Sequence, residues 1–296
     1  MKVPKKARPK EKIKTPAGAK VIKVFLIIYA ALILYPYLLA LNSAFRDWGA
    51  FSDNIFGFSR WTLDNFKKVL TEFNYPVVMP DGTPGAYYFP ELVVNTALFA
   101  LGGAAAATLC PMIVGYCTAK FPYKFSKMII ALVYVLMALP IFGTTPATIE
   151  MMQKLGIYNT IPGTWYLKFS FCCLYTLIFN ATFRSIPNDY IEAAYIDGAG
   201  NFSIFTRVMV PLCTNTAMVV FILQFVALWS DYTTALYFTP SYPTLSLTLL
   251  NFSEMASTTE TMQMAACVLL CIPSLILFAT CTEKFTESLQ IGGIKG

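Results

Sequence analysis

A chain of 296 residues that is 56% hydrophobic and only 13% charged, with a mean hydropathy of +0.58, is too apolar for a soluble globular domain, which carries about 25% charged residues. The net charge is +6 and histidine is absent, so histidine-based catalysis and histidine metal ligation are excluded. The eight cysteines show no zinc spacing; they lie in apolar runs, where a free thiol behaves as a small hydrophobe, and neither a disulfide framework nor a metal site is expected.

Residues 1–23 hold nine Lys and Arg. The apolar run that follows is long enough to span a bilayer and lacks a small-residue cleavage site, so it reads as a retained membrane helix rather than a signal peptide. The basic head fixes orientation and can touch anionic lipid. A spanning helix needs roughly 20 mostly apolar residues. Six segments qualify: Val24–Ala44, Leu92–Ala119, Met128–Ile149, Trp165–Phe183, Leu212–Leu228 and Met262–Thr282. The second carries Gly102, Gly103 and the alanines 104–107, small residues that let helices approach closely. The fourth and fifth are the weakest, because they contain Asn180, Asn215 and Gln224; polar groups at that depth face protein or a water-filled cavity.

With the N-terminus in the cytoplasm, the loops on that side hold sixteen of the 22 Lys and Arg and the opposite loops hold six. That asymmetry places both termini inside. The expected organisation is a basic cytoplasmic segment 1–23, a six-helix transmembrane domain 24–283 and a cytoplasmic tail 284–296. An extracytoplasmic loop at 45–91 contains a short amphipathic helix in "WTLDNFKKVL" and a turn-rich piece, 79–90, with exposed aromatics. The longest cytoplasmic loop is 184–211.

That loop, "YIEAAYIDGAGNFSIFTRVMVPL" from Tyr190 to Leu212, is polar and bent although it lies between two spans. Pro187 and Asp189 mark a helix start. Gly198 or Gly200 can end the helix with φ > 0, and a second short helix runs to Pro211. On the first helix Ile191, Ala194 and Tyr195 share one side and Glu192 and Ile196 another; Ala193 and Ala194 make a smooth surface for close approach. On the second, Ile204, Phe205 and Val208 read as exposed apolar groups that need a partner. The loop has the form of a docking plug.

Glu192-Ala193-Ala194, then Gly198, then Val208-x-Val210-Pro211 resemble the EAA motif, EAA-x3-G-x9-I-x-L-P, of the membrane subunits of binding-protein-dependent ABC importers. Valine at the motif's Ile and Leu positions is a departure that keeps the apolar character. Asp197 falls in the "IDGAG" form of the motif. "WTLDNF" (61–66), "VVNTALFA" (93–100), "QFVALWSDYTTALYF" (224–238) and the tail "LQIGGIKG" (289–296) resemble further stretches of the carbohydrate permeases of the maltose-transporter class, so the likeness runs from about residue 20 to the end.

The resemblance implies an all-α membrane protein of the six-span type I importer fold, the shorter permease of a heterodimer in the bacterial plasma membrane. It implies four kinds of neighbour: a second permease subunit, two ATPase subunits, an extracytoplasmic sugar-binding protein and membrane lipid, with no nucleic acid. Glu192, Ala193, Ala194, Asp197, Gly198, Ile204, Phe205 and Pro211 would couple this chain to the ATPase, and Gln290, Gly292, Gly293 and Lys295 of the tail would reach the ATPase interface. No catalytic residue is expected, since no G-x-x-x-x-G-K-[ST] occurs; ATP and Mg would be bound by the partner ATPase.

Candidates for the solute path are Asn95, Asn180, Asn215, Gln224, Trp229, Asp231 and Tyr232. Each serves equally well as a sugar contact or as a helix cap or interhelix bond. A permease for a non-sugar solute is the near alternative. An ion-coupled transporter is less well supported, because such proteins use buried ionisable groups and the expected spans hold almost no acids.

Overall fold

The structure, a computed structural model, describes residues 17–78, 83–121, 123–139, 143–255 and 257–292. Helix α1, Ala17–Ala44, is apolar all round from Val24 onward, and its long side chains from Val21 to Leu38 stay exposed. An all-apolar helix without a covered face is a membrane element. Two short helices follow, α2 (Trp48–Asp53) and α3 (Asp64–Glu72). Next come strands β1 (Asn74–Val78) and β2 (Pro84–Tyr88), paired antiparallel with Asn74 opposite Tyr88. This hairpin adds two short strands to an otherwise helical fold and replaces the turn reading at 84–88; Tyr88 is exposed as expected, and residues 79–82 lie outside the described residues. Tyr75 and Tyr87 are half-buried against the core, because the aromatic and β-branched residues of "NYPVV" and "PGAYY" favour a half-buried pleated surface over a loop.

Helix α4, Phe89–Lys120, is the central rod. Its start is fixed by Glu91, whose carboxylate accepts from the Tyr88 N–H at 2.8 Å. Its small residues are where neighbours come closest. A Cβ at Gly102 would lie 2.1 Å from the Trp165 ring, and one at Gly115 would lie 2.6 Å from Phe179 Cβ. The chain continues through α5 (Lys124–Ala138), α6 (Thr145–Lys154), α7 (Ile161–Lys168) and α8 (Leu174–Ser185). It then runs through α9 (Asp189–Ile196), α10 (Asn201–Ile204), a wide π-type turn at Phe205–Met209 and α11 (Val210–Leu212). Helices α12 (Thr214–Trp229), α13 (Tyr232–Phe238), α14 (Leu245–Glu254) and α15 (Glu260–Gly292) complete the chain.

Among the described residues three helices are long and apolar enough to cross a membrane, Ala19–Ala44, Phe89–Lys120 and Glu260–Thr280. Asn201–Leu212 with Thr214–Trp229, bent by 77°, makes a fourth if the pair is one span. The third and fourth sequence segments are not continuous helices. Met128–Ile149 is divided between α5 and α6, with Gly143 at φ 74° after the break and residues 140–142 outside the described set. Trp165–Phe183 is broken at Phe169–Cys173. There Ser170 Oγ accepts from the Cys172 N–H at 3.3 Å, and the Thr176 hydroxyl donates to the Phe171 carbonyl at 2.5 Å. Such side-chain bonds offer the backbone an alternative to helix, and aromatic and Cys residues add little propensity against it.

Two apolar clusters lie along α4. One, near the hairpin, includes Val69, Phe73, Leu92, Phe99, Leu228 and Phe252. The other, near α9–α11, includes Met112, Tyr116, Phe179, Phe183, Ile204 and Met209. At the hairpin end buried polar residues tie loops to helices. Asn65 donates to the Ala44 and Arg46 carbonyls at 2.9 and 2.7 Å, which gives the "WTLDNF" stretch a structural purpose at the end of α1. Arg46 is buried, and its guanidinium donates to the Asn54 and Ile55 carbonyls (2.8 and 3.1 Å) and to the Ala50 carbonyl. Those carbonyls lie at and just beyond the C-terminal end of α2, where the helix dipole favours a cation.

Candidate functional site

The segment between α8 and α12 forms an elbow. Asp189 and Glu192 sit in the first turn of α9, where the helix dipole favours acids, and no residue of α9 is buried. The helix ends at Gly198, whose φ is +80°. The Gly198 N–H donates to the Tyr195 carbonyl at 3.0 Å and the Ala199 N–H to the Ala194 carbonyl at 2.9 Å. This pairing is the Schellman stop, which needs a left-handed residue at its second-last position and therefore favours a glycine. Tyr195 Oη donates to Asn201 Oδ1 and links the two arms of the elbow.

The second arm is α10, the wide turn and α11, and it meets α12 at a 77° bend. Pro211 is the physical cause. It lacks an N–H, and its ring clashes with the carbonyl four residues back, so the ladder widens at Phe205–Met209 and breaks at Cys213, where φ is −106°. Sharp bends belong to prolines and π-type turns, and here both occur together.

The elbow is folded against its own chain. Ile204 is 0% exposed and packs with Met112, Tyr116, Phe179, Phe183 and Met209. The Phe205 ring lies 4.9 Å from that of Tyr116, and Val208 is half-buried on the same cluster. This corrects the reading of Ile204, Phe205 and Val208 as an exposed docking patch: the bend at Cys213 turns that face onto α4 and α8. The sides of α9 follow the sequence spacing better. Ile191 and Ala194 turn inward, while Glu192, Ala193, Ile196, Asp197 and Gly198 are exposed; Tyr195 is exposed as well. The most exposed apolar groups of the elbow are Ile196, 87% exposed, and Phe202, 80% exposed, one on either side of the glycine turn. Phe202 was missed because the buried stripe of the second arm was assigned to the wrong face; its own signal was a large aromatic two residues after Gly200, at the start of the second arm.

A second missed residue is Lys120, the last of α4. Its Nζ donates to the Ile186 carbonyl at 2.6 Å and to Asn188 Oδ1 at 2.9 Å. It thus satisfies the carbonyl end of α8 and grips the residue preceding α9.

The solute-path candidates are scattered rather than assembled. Asn180 is buried and donates to the Thr118 hydroxyl at 2.8 Å. Trp229 is buried and donates to the Leu270 carbonyl at 2.9 Å. Asp231 caps α13 by accepting from the Thr234 N–H at 2.9 Å and pairs with Lys168 at 3.4 Å. Asn95 donates to the Pro243 carbonyl at 3.3 Å. These four hold helices and loops together. Gln224 is half-buried on α12. Tyr232 borders a cavity of about 430 Å³ with Ser230, Ser246 and Ser274. Asn215 lines a separate cleft of about 510 Å³ with Tyr175, Thr182, Ser185 and Thr216. In the tail, Gln290 and Gly292 lie in the last turn of α15, and Gly293 and Lys295 are outside the described residues.

Comparison with known proteins agrees with this architecture. The model of the binding-protein-dependent transport system inner membrane component family matches residues 107–287, which include the whole elbow. The diacetylchitobiose uptake system permease protein NgcG of Streptomyces coelicolor is 26% identical over 216 residues, 72% of this chain and 67% of the relative. The maltodextrin transport system permease protein MdxG of Bacillus subtilis is 24% identical over 280 residues, 92% of this chain and 95% of the relative. A chain of a bacterial ABC transporter involved in the import of the acidic polysaccharide alginate superposes with a TM-score of 0.74 at 17% identity, covering 91% of this chain and 98% of that one. The matched region spans more than half of the chain, from the middle of α4 through the elbow into α15, and the chain belongs to the binding-protein-dependent ABC transporter permeases, the inner membrane components of such systems.

Proposed function

We propose that this chain is the shorter permease of an ATP-driven importer that carries a carbohydrate from an extracytoplasmic binding protein into the cytoplasm. The observation that carries the reading is the elbow. A short helix, stopped by a glycine turn and braced by its own chain, presents Glu192, Ile196 and Phe202 outward. A rigid projection of this kind can convert closure of two ATPase subunits into rotation of the spans, which a mobile loop could not. Glu192 pairs with a basic residue of the ATPase cleft, and Ile196 and Phe202 fill apolar pockets beside it.

The cargo class rests on relatives named for maltodextrin, galactooligosaccharides and diacetylchitobiose. In this reading both termini and the elbow are cytoplasmic, and the hairpin and α13–α14 face the binding protein. α5 and α8 are then the third and fourth of six spans. A second permease covers the exposed side of the bundle, and the tail after α15 reaches the ATPase pair, which holds ATP and Mg. Of the solute-path candidates Asn215 is retained. The cleft it shares with Tyr175, Thr182, Ser185 and Thr216 offers an aromatic face, hydroxyls and an amide, the chemistry an uncharged polyhydroxyl solute requires.

The test is co-expression with the neighbouring genes, purification in detergent and assay of ATP hydrolysis with the binding protein and maltodextrin or chitobiose. Co-purification of a second permease and an ATPase, with sugar-stimulated hydrolysis, is the expected result. A chain that purifies alone and carries sugar into liposomes without ATP would overturn it.

A further inference from the structure

The elbow is mounted on α4 at two points one helical turn apart. Lys120 holds the approach to the first arm through the Ile186 carbonyl (2.6 Å) and Asn188 Oδ1 (2.9 Å). Tyr116 holds the second arm by its ring contact with Phe205 at 4.9 Å. Residues four apart on a helix share a face, so both arms bear on one side of the rod. The two contacts differ in kind. The aromatic contact is broad and tolerates sliding; the ammonium grips a carbonyl and an amide oxygen, which fixes both distance and direction.

The opposite end of α4 is also fastened. Thr96 Oγ1 accepts from the Leu245 N–H at 2.8 Å, and Asn95 donates to the Pro243 carbonyl at 3.3 Å. From Asn95 to Lys120 the helix is continuous, a rise of about 38 Å at 1.5 Å per residue. It is locked to α8 by Gly115 against Phe179 and by the bond from Asn180 to Thr118. From this arrangement we infer that Lys120 is the positioning residue that fixes the elbow to α4, and that α4 carries the elbow's displacement to the Pro243–Leu245 loop at the far end. The inference rests on the reading of the elbow as the ATPase-docking element and adds the route by which its movement leaves it.

The experiment uses the full importer in lipid nanodiscs, with amide hydrogen exchange measured without nucleotide and after trapping with ATP and vanadate. In the wild type, exchange changes at 187–197 and at 243–249 together. Lys120→Met keeps the aliphatic stem and removes the donors. It retains the response at 187–197 and reduces that at 243–249 about tenfold, the shift expected from loss of a charge-assisted hydrogen bond. Lys120→Arg retains both responses, and Asn188→Leu, which removes one acceptor, falls between them. Two results would overturn the inference: an undiminished response at 243–249 in Lys120→Met, or loss of the assembled complex in Lys120→Met, Lys120→Arg and Asn188→Leu alike, which would make the contact one of assembly only. A wild-type complex whose residues 187–197 do not respond to nucleotide fails the docking reading instead, whatever Lys120 does.

Discussion

Ile204 and Ile196 are the same residue type eight positions apart in one elbow, and the structure gives them opposite work. Ile204 is 0% exposed among Met112, Tyr116, Phe179, Phe183 and Met209. Ile204→Ala removes three carbons from a closed apolar site, where deletion of this size costs about 2–5 kcal/mol through lost transfer energy and the cavity left behind. The rings of Phe183 and Tyr116, 5.4 Å apart and edge to face, resist collapse into the space, which places the expected loss near the middle, about 3 kcal/mol. Ile196 is 87% exposed, and Ile196→Ala should alter stability by no more than about 0.5 kcal/mol. The assay is unfolding of the purified chain in mixed dodecylmaltoside and SDS micelles, followed by tryptophan fluorescence, beside co-purification with the ATPase. Ile204→Ala should unfold at lower SDS; Ile196→Ala should unfold like the wild type and retain less ATPase. Equal stability of the two variants, or loss of stability in Ile196→Ala alone, would refute the assignment of the two faces.

Four further outcomes follow from the same contacts. Glu192→Lys should fold and insert normally, since the residue is exposed on α9, yet lose ATPase retention and transport because the one acid of the Glu-Ala-Ala stretch is reversed; retained transport would count against docking. Gly198→Val puts a branched side chain at φ +80° and should destabilise the elbow by about 1–3 kcal/mol, seen as faster proteolysis at 195–202 with the rest of the chain protected. Gly102→Leu cannot be accommodated while Trp165 Nε1 donates to the Leu98 carbonyl at 3.0 Å, so it should red-shift tryptophan emission and lower stability. Asn65→Ala leaves the Ala44 and Arg46 carbonyls without their donor and should cost about 1–3 kcal/mol, read as a lower SDS midpoint.

How far the sequence speaks depends on whether a feature is local. A glycine stop of α9 at Gly198 or Gly200 and an end of the second arm near Pro211 were legible, since a left-handed φ and a missing N–H are properties of those residues; the 77° bend there was not. The sides of α9 could be read from spacing only in part: Ile191 and Ala194 share the inward face, while Tyr195, placed with them by spacing, is exposed. The burial of Ile204 and Phe205 was not legible: it depends on the second arm folding back onto Tyr116, some ninety residues earlier in the sequence. The end of α5 at Ala138 and the break at 169–173 were hidden because hydropathy averages over a window, whereas the Ser170 and Thr176 side-chain bonds that favour the break at 169–173 are single interactions. The hairpin was hidden by its own prolines and glycine, which read as turn. The polar residues inside the spans misled for a related reason. Asn180 and Trp229 suggested a solute until their partners, Thr118 and the Leu270 carbonyl, were visible. Lys120 registered only as one charge among those setting orientation, because nothing local shows that a lysine reaches across to a neighbouring helix.

In the proposed function, solute moves through this chain only when ATP-driven closure acts on the elbow. The most direct measurement is uptake of labelled maltodextrin into proteoliposomes containing the complete importer and its binding protein, with ATP or a non-hydrolysable analogue inside, for wild type and Glu192→Lys. The expected result is uptake with ATP in the wild type, none with the analogue, and none in Glu192→Lys at equal assembly in the liposomes. Uptake that follows an ion gradient without ATP, or that survives unchanged in Glu192→Lys, would contradict it.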